Sequence, residues 1–283
     1  MGIEVAGRPV RLVMDGISFP ECPRWHDGAL WFSDIHGHTV WRLPDGRDPQ
    51  IAACLDDRVA GLGFLPDGDL LAVSMLDRRL LAFDREGVPR LHADVSHLSK
   101  QFTNDMVVDA RGRAYVGSRN GGPPGTDNLI FVDEAGRVEQ AAENMTSPNG
   151  SVIDGQYLYV AETAPGRLVR FTIAEDGSLS DRTVVVSLPG RHIDGLCQDR
   201  AGRFWGGGGD GGLHHFTAAG ELLHTTLFPG RMVAACWPSD DGRTLYLCST
   251  NTRLIENLNY IGFDRTRDAQ VNSDGRIEAV DLK

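Results

Sequence analysis

Six times along this chain the same phrase returns, and only its first residue changes in kind. The phrase is a slot residue, an apolar stretch, a Gly-bearing turn and a second apolar stretch. It starts at Glu21 (ECPRWHDGALWFS), Ala60 (AGLGFLPDGDLLAVS), Asn104 (NDMVVDARGRAYVGS), Asn149 (NGSVIDGQYLYVAE), Asp194 (DGLCQDRAGRFWGGG) and Ala234 (AACWPSDDGRTLYLCS). Successive slots lie 39, 44, 45, 45 and 40 residues apart. The turn glycine follows each slot by 6 to 8 residues, at Gly28, Gly68, Gly112, Gly155, Gly202 and Gly242. A period of this length with strand–turn–strand content predicts a β-propeller.

Each phrase reads as a hairpin, because Asp-Gly and similar pairs sit between apolar β-formers. An outer strand pair follows each one, as in RLLAFDREGVPRLHAD and GLHHFTAAGELLHTTLF. No stretch carries the apolar stripe of a three-turn helix. Six blades of four strands at ~5–6 residues each need roughly 130 strand residues, which 283 residues supply with room for loops. The expected fold is therefore all-β: one six-bladed β-propeller domain over residues 1–283, with four-stranded blades. An open ring would leave unpaired edges. The strand-like segments Pro9–Met14 and Gly275–Leu282 are expected to close the ring, with the N-terminal one preferred as the strand that completes the last blade.

Composition agrees. Glycine supplies 34 of 283 residues, about 12%, against a usual ~7%; tight turns use that excess because glycine enters φ > 0 cheaply. Lys plus Arg total 28 and Asp plus Glu 39, a net charge of −11. Such a chain has no electrostatic affinity for nucleic acid or anionic membranes. The five cysteines form no C-x-x-C pair, so free thiols in a reducing compartment are expected. No apolar run approaches a membrane span, and MGIEVAGRPVRLVMDG has no apolar signal-peptide core. A cytoplasmic monomer or homodimer is the expectation.

Equivalent positions of every blade converge on the propeller axis. Glu21, Asn104, Asn149 and Asp194 would therefore meet at one point. Asn104-Asp105, Asn149-Gly150 and Asp194-Gly195 are also common turn dipeptides, but each blade already owns a separate turn. Four oxygens with two negative charges suit one hard divalent cation, Ca²⁺ first, with Mg²⁺, Mn²⁺ or Zn²⁺ as alternatives. No His or Cys occupies a slot, which argues against a dedicated zinc site. Ca²⁺ takes 6–8 oxygens, so positions would remain for water or substrate, a catalytic arrangement.

FPECPRW…WFSD, FTNDMVVDARGRAYVGS, SPNG, HIDGL and LYLCST together resemble the SMP-30/gluconolactonase/LRE family of six-bladed propellers. The resemblance spans essentially the whole chain. It implies a divalent metal held by Glu21, Asn149 and Asp194, with Asn104 beside it and contacting substrate. It further implies hydrolysis of small lactones, often sugar lactones, with Asp194 as general base. The chain departs from the sugar-lactonase pattern at two points. Phe102 stands where those members tend to carry Arg, and Ser118-Arg119-Asn120-Gly121-Gly122 lacks an expected acidic residue. Phe102, Arg119 and Asn120 are thus candidate substrate contacts of altered polarity, and a less polyhydroxylated lactone is expected. Trp237 is read as blade core or as part of an apolar rim. Two other readings stay open: an organophosphate hydrolase of the diisopropyl-fluorophosphatase type on the same metal, and a non-catalytic, metal-stabilised binding propeller.

Overall fold

The computed structural model of the chain describes residues 2–251, 268 and 273–282. Its strands form six antiparallel sheets, five of four strands and one of five. The third sheet shows the plan: Phe102–Val108, Ala114–Arg119, Asp127–Val132 and Val138–Met145 pair in chain order. The glycines that close the six inner hairpins all adopt positive φ, from 58° at Gly155 to 91° at Gly68. A side chain would be strained there, so the repeat keeps glycine at that register.

The first strands of the blades run Pro20–His26, Val59–Phe64, Phe102–Val108, Pro148–Asp154, Leu196–Gln198 and Arg231–Pro238. Each packs on the first strand of the next blade, and the sixth packs on the first. That cyclic contact makes the chain a six-bladed β-propeller with these strands lining the axis.

Both ends of the chain close the ring. In the sixth sheet Arg231–Pro238 is followed in space by Thr244–Asn251, Gly275–Asp281, Arg8–Ile17 and Glu4–Val5. The C-terminal strand is third and the N-terminal one fourth, joined through pairs such as Val10↔Val280 and Leu12↔Glu278. Closure by the N- and C-terminal strands is as the sequence led one to expect, and the N-terminal one supplies the fourth strand of the last blade.

The core is distributed in wedges between blades, as expected when each sheet must bury an apolar face against its neighbour. Leu71, Val73 and Leu80 of blade two meet Met106, Val116 and Ile130 of blade three. Cys197, Trp205 and Leu213 of blade five meet Val233, Cys236 and Leu247 of blade six. All five cysteines are free thiols, and only Cys54 is exposed. Trp237 belongs to this packing rather than to a rim at the slot end. It sits beyond the slot on its strand, pairs with Tyr246 and lies under the Arg24 guanidinium at 4.8 Å. Among the described residues no helix is long and apolar enough to cross a membrane.

Candidate functional site

Five of the six inner strands break their pairing register around the slot. The shifts fall between Glu21 and Arg24, Val59 and Leu62, Thr103 and Met106, Pro148 and Ser151, and Val233 and Ala235. A bulge leaves one residue unpaired and re-aims its side chain. In the fifth blade the slot lies just before the strand and is held separately. Asp194 N donates to Gly207 O at 2.6 Å, and Gly207 N donates to Gly195 O at 3.0 Å. The glycine-rich stretch after Trp205 thus serves close backbone approach. Cys22, next to Glu21, adopts φ 48°, a costly backbone state that a bulge beside a functional side chain can maintain.

Small residues after the slots let neighbouring blades touch backbone to backbone. Gly150 N donates to Asp194 O at 3.0 Å, and Gly195 N donates to Ala234 O at 2.8 Å. A Cβ on Gly150 would meet Leu196 N and Asp194 O, and one on Gly195 would meet the Ala235 backbone and side chain. Slots four, five and six are therefore direct neighbours. The Asn149 side-chain amide donates to the Asp194 carboxylate.

Glu21 is buried, 7% exposed, and its carboxylate accepts the Cys22 N–H at 2.9 Å. Burial pushes its carboxyl well above the usual range, and the negative charges of Asp194 and Asp105 add to the push; the Cys22 N–H and Arg24 oppose it. Burial also raises Asp194, to about 7, with Asp105 adding and Arg119, Thr163 and Asn149 opposing. The three carboxylates therefore feel one another's charge. Asn104 directly precedes Asp105, on the inner strand of blade three. Its side-chain amide has no hydrogen-bond partner among the described residues. The second strands of the hairpins end around this mouth at Ser74-Met75, Arg119-Asn120, Glu162-Thr163 and Thr250-Asn251, as their pairing with the slot ends requires.

Sequence reasoning missed Asp105 and Arg24. Asp105 accepts Arg24 Nη2 at 2.9 Å and Met106 N at 2.7 Å. Arg24 also donates to Pro23 O at 2.7 Å and Met106 O at 2.5 Å. The signal was available. The residues after the slots are Cys22, Gly61, Asp105, Gly150, Gly195 and Ala235, small everywhere except at Asp105.

Phe102 and Arg119 face each other across the hairpin of blade three. The Arg119 guanidinium lies 5.9 Å from the Phe102 ring centroid, and its Nε is 3.3 Å from Asp127. Asn120 is committed to the loop. Its amide accepts Lys100 N at 2.8 Å and donates to Thr126 O and Asn128 Oδ1, both at 2.9 Å. His26, near the first slot in sequence, stacks on Phe64 at 3.7 Å, and His192 is exposed.

The donor chemistry fits a hard divalent cation. Buried Glu21 and half-buried Asp194 repel each other's charge, and among the described residues Arg24 pairs with Asp105 and Arg119 with Asp127. Burying like charges is unfavourable unless an opposite charge compensates. Among the described residues no three His, Cys, Asp or Glu side chains form a ready ligand cluster. The donors at this end of the axis are instead a mixture of carboxylates and amides, hard oxygens suited to Ca²⁺, Mg²⁺ or Mn²⁺.

The family model described as the SMP-30/Gluconolactonase/LRE-like region matches residues 19–251. Among solved structures, a luciferin-regenerating enzyme superposes with a TM-score of 0.78 at 19% identity, over 97% of this chain and 95% of that one. A gluconolactonase from Xanthomonas campestris gives 0.76 at 19% identity, over 100% and 94%. A calcium-binding regucalcin from Agrobacterium tumefaciens strain C58 gives 0.76 at 20% identity, over 98% and 96%. At such identities these likenesses establish the fold.

Proposed function

Because the chain belongs to the SMP-30/gluconolactonase/LRE-like family, we propose that it is a divalent-metal-dependent hydrolase of small lactones. The observation that carries this reading is the set of hard oxygen donors at the axis: buried Glu21, and half-buried Asp194 with the Asn149 amide against its carboxylate. Glu21, Asn149 and Asp194 would hold the cation, with Asn104 alongside. Ca²⁺ is favoured, since the similar regucalcin is described as calcium-binding and the oxygens are hard.

A bound cation would polarise the lactone carbonyl and stabilise the charge developing on its oxygen. The chain's own residues do the rest. Asp194 takes a proton from the attacking water as general base. The water oxygen bonds to the carbonyl carbon. The ring C–O bond then breaks, and the leaving alkoxide takes up a proton to give the hydroxy acid. The Asn104 amide, uncommitted in the protein, donates to substrate oxygen. Phe102 offers an apolar face to the ring. Asn120 acts by bracing the loop that carries Arg119.

The test is turnover of a lactone panel by purified protein with Ca²⁺ or Mn²⁺ supplied, then with chelator. Activity that disappears with chelation and in Asp194→Asn, while the fold is retained, supports the reading. Turnover that is indifferent to both removes it.

A further inference from the structure

We propose that Arg119 sets the specificity of this site, and that the substrate is a lactone bearing a free carboxylate, which the Arg119 guanidinium binds. The inference rests on the lactonase reading above and names its substrate class.

Arg119 ends the second strand of blade three and pairs with Phe102, two residues before Asn104. Its guanidinium lies over the Phe102 ring at 5.9 Å. An aromatic face under a guanidinium fixes its plane and leaves the donor-bearing edge for a ligand. An acidic side chain faces the arm on the Nε side, as an ion pair without a hydrogen bond. Asp127 sits 3.3 Å from Nε, and its two oxygens accept Asn120 N and Ser147 N, each at 2.8 Å. Asn120 ties the same loop to Lys100, Thr126 and Asn128. The guanidinium is therefore pre-positioned, while the side chain stays 36% exposed at the mouth.

The chain carries −11 overall, and Glu21, Asp105 and Asp194 lie at this end of the axis, so an anionic substrate needs a local cation to offset their repulsion, which Arg119 supplies. A neutral polyol would find little use for a cation stacked on an apolar ring. A ring lying on Phe102 with a carboxylate on its edge would use both. A planar fork of donors matches a carboxylate in two parallel hydrogen bonds. Arg119 shares the slot end of blade three with Asn104, because its strand partner Phe102 lies two residues before that slot on the same strand.

The experiment compares γ-butyrolactone with the same ring bearing a carboxylate on its γ-carbon. Values of kcat/KM are measured with saturating Ca²⁺ or Mn²⁺ for the natural protein, Arg119→Lys and Arg119→Gln. The natural protein should prefer the carboxylated ring. Arg119→Gln should lower that preference about 10- to 100-fold, the usual weight of a paired charge-assisted contact, chiefly through KM. Arg119→Lys should keep part of it, and serves if the Gln variant folds poorly. Equal or better hydrolysis of the neutral ring by the natural protein, or an unchanged ratio in Arg119→Gln, overturns the proposal and leaves the lactonase reading standing. If neither ring is hydrolysed, the lactonase reading falls and calorimetry with glutarate decides the anion site alone. Binding lost in Arg119→Gln sustains it, and equal or absent binding overturns it.

Discussion

The Arg24 guanidinium sits 2.9 Å from the Asp105 carboxylate across 81 residues of sequence, joining blade one to blade three beside the axis. The pair neutralises one of three carboxylates that feel one another's charge, and leaves Glu21 and Asp194 as the two with no ion pair among the described residues. Both partners are almost wholly buried, at 10% and 4% side-chain exposure.

Arg24→Met should therefore destabilise the protein by about 3–5 kcal/mol, because it strands a buried charge. The double variant Arg24→Met, Asp105→Asn should recover much of that loss. Denaturant melts of the three proteins test this. A single variant as stable as the natural protein would show that the pair is energetically idle.

Asp194 gives a pH-dependent contrast. Its carboxyl rises from an ordinary 3.8 to about 7 in the folded, metal-free protein. The folded state then holds a proton that the unfolded chain releases, so this group's contribution to stability falls as pH rises from 3.8 to 7 and is flat above. Half-buried His92 and buried His214 and His215 are pushed down in folded pKa by desolvation and work in the opposite direction below pH 6.5. The readout must therefore be the difference between the natural protein and Asp194→Asn in chelator. The variant should be the more stable at pH 8, with the gain shrinking by about 1 kcal/mol per pH unit toward pH 5. A difference that does not vary with pH contradicts the assignment.

The close packing at the axis predicts a steep response at Gly195. Its missing Cβ faces the Ala235 backbone and side chain, neither of which can swing aside. Gly195→Ala should cost on the order of 3 kcal/mol by overpacking and weaken Ca²⁺ binding by displacing Asp194. Melting and calcium titration of the variant check both effects.

Thiol accessibility follows from the blade packing. Cys22, Cys197, Cys236 and Cys248 are buried and Cys54 is exposed. A thiol-specific reagent should titrate one cysteine per native chain and five in denaturant. Rapid labelling of two or more in the native protein would contradict the packing between blades five and six, where Cys197 and Cys236 lie 3.5 Å apart.

The propeller was legible because each blade repeats one constraint: a glycine at positive φ between two apolar strands. The contact of Asn149 with Asp194 was legible for the same reason, since ring symmetry turns sequence register into spatial proximity. What escaped was whatever the repeat does not encode. Arg24 and Asp105 meet across different registers, so no spacing rule joins them. The bulges that turn the slots off their strands are backbone events with no fixed residue signature.

The most direct measurement is anomalous diffraction from crystals soaked in Mn²⁺ as a stand-in for Ca²⁺. The account predicts one strong peak on the propeller axis, bound by side-chain oxygens of Glu21, Asn149 and Asp194, with Asn104 adjacent. No axial peak at saturating metal, or a peak held by other residues, would contradict it.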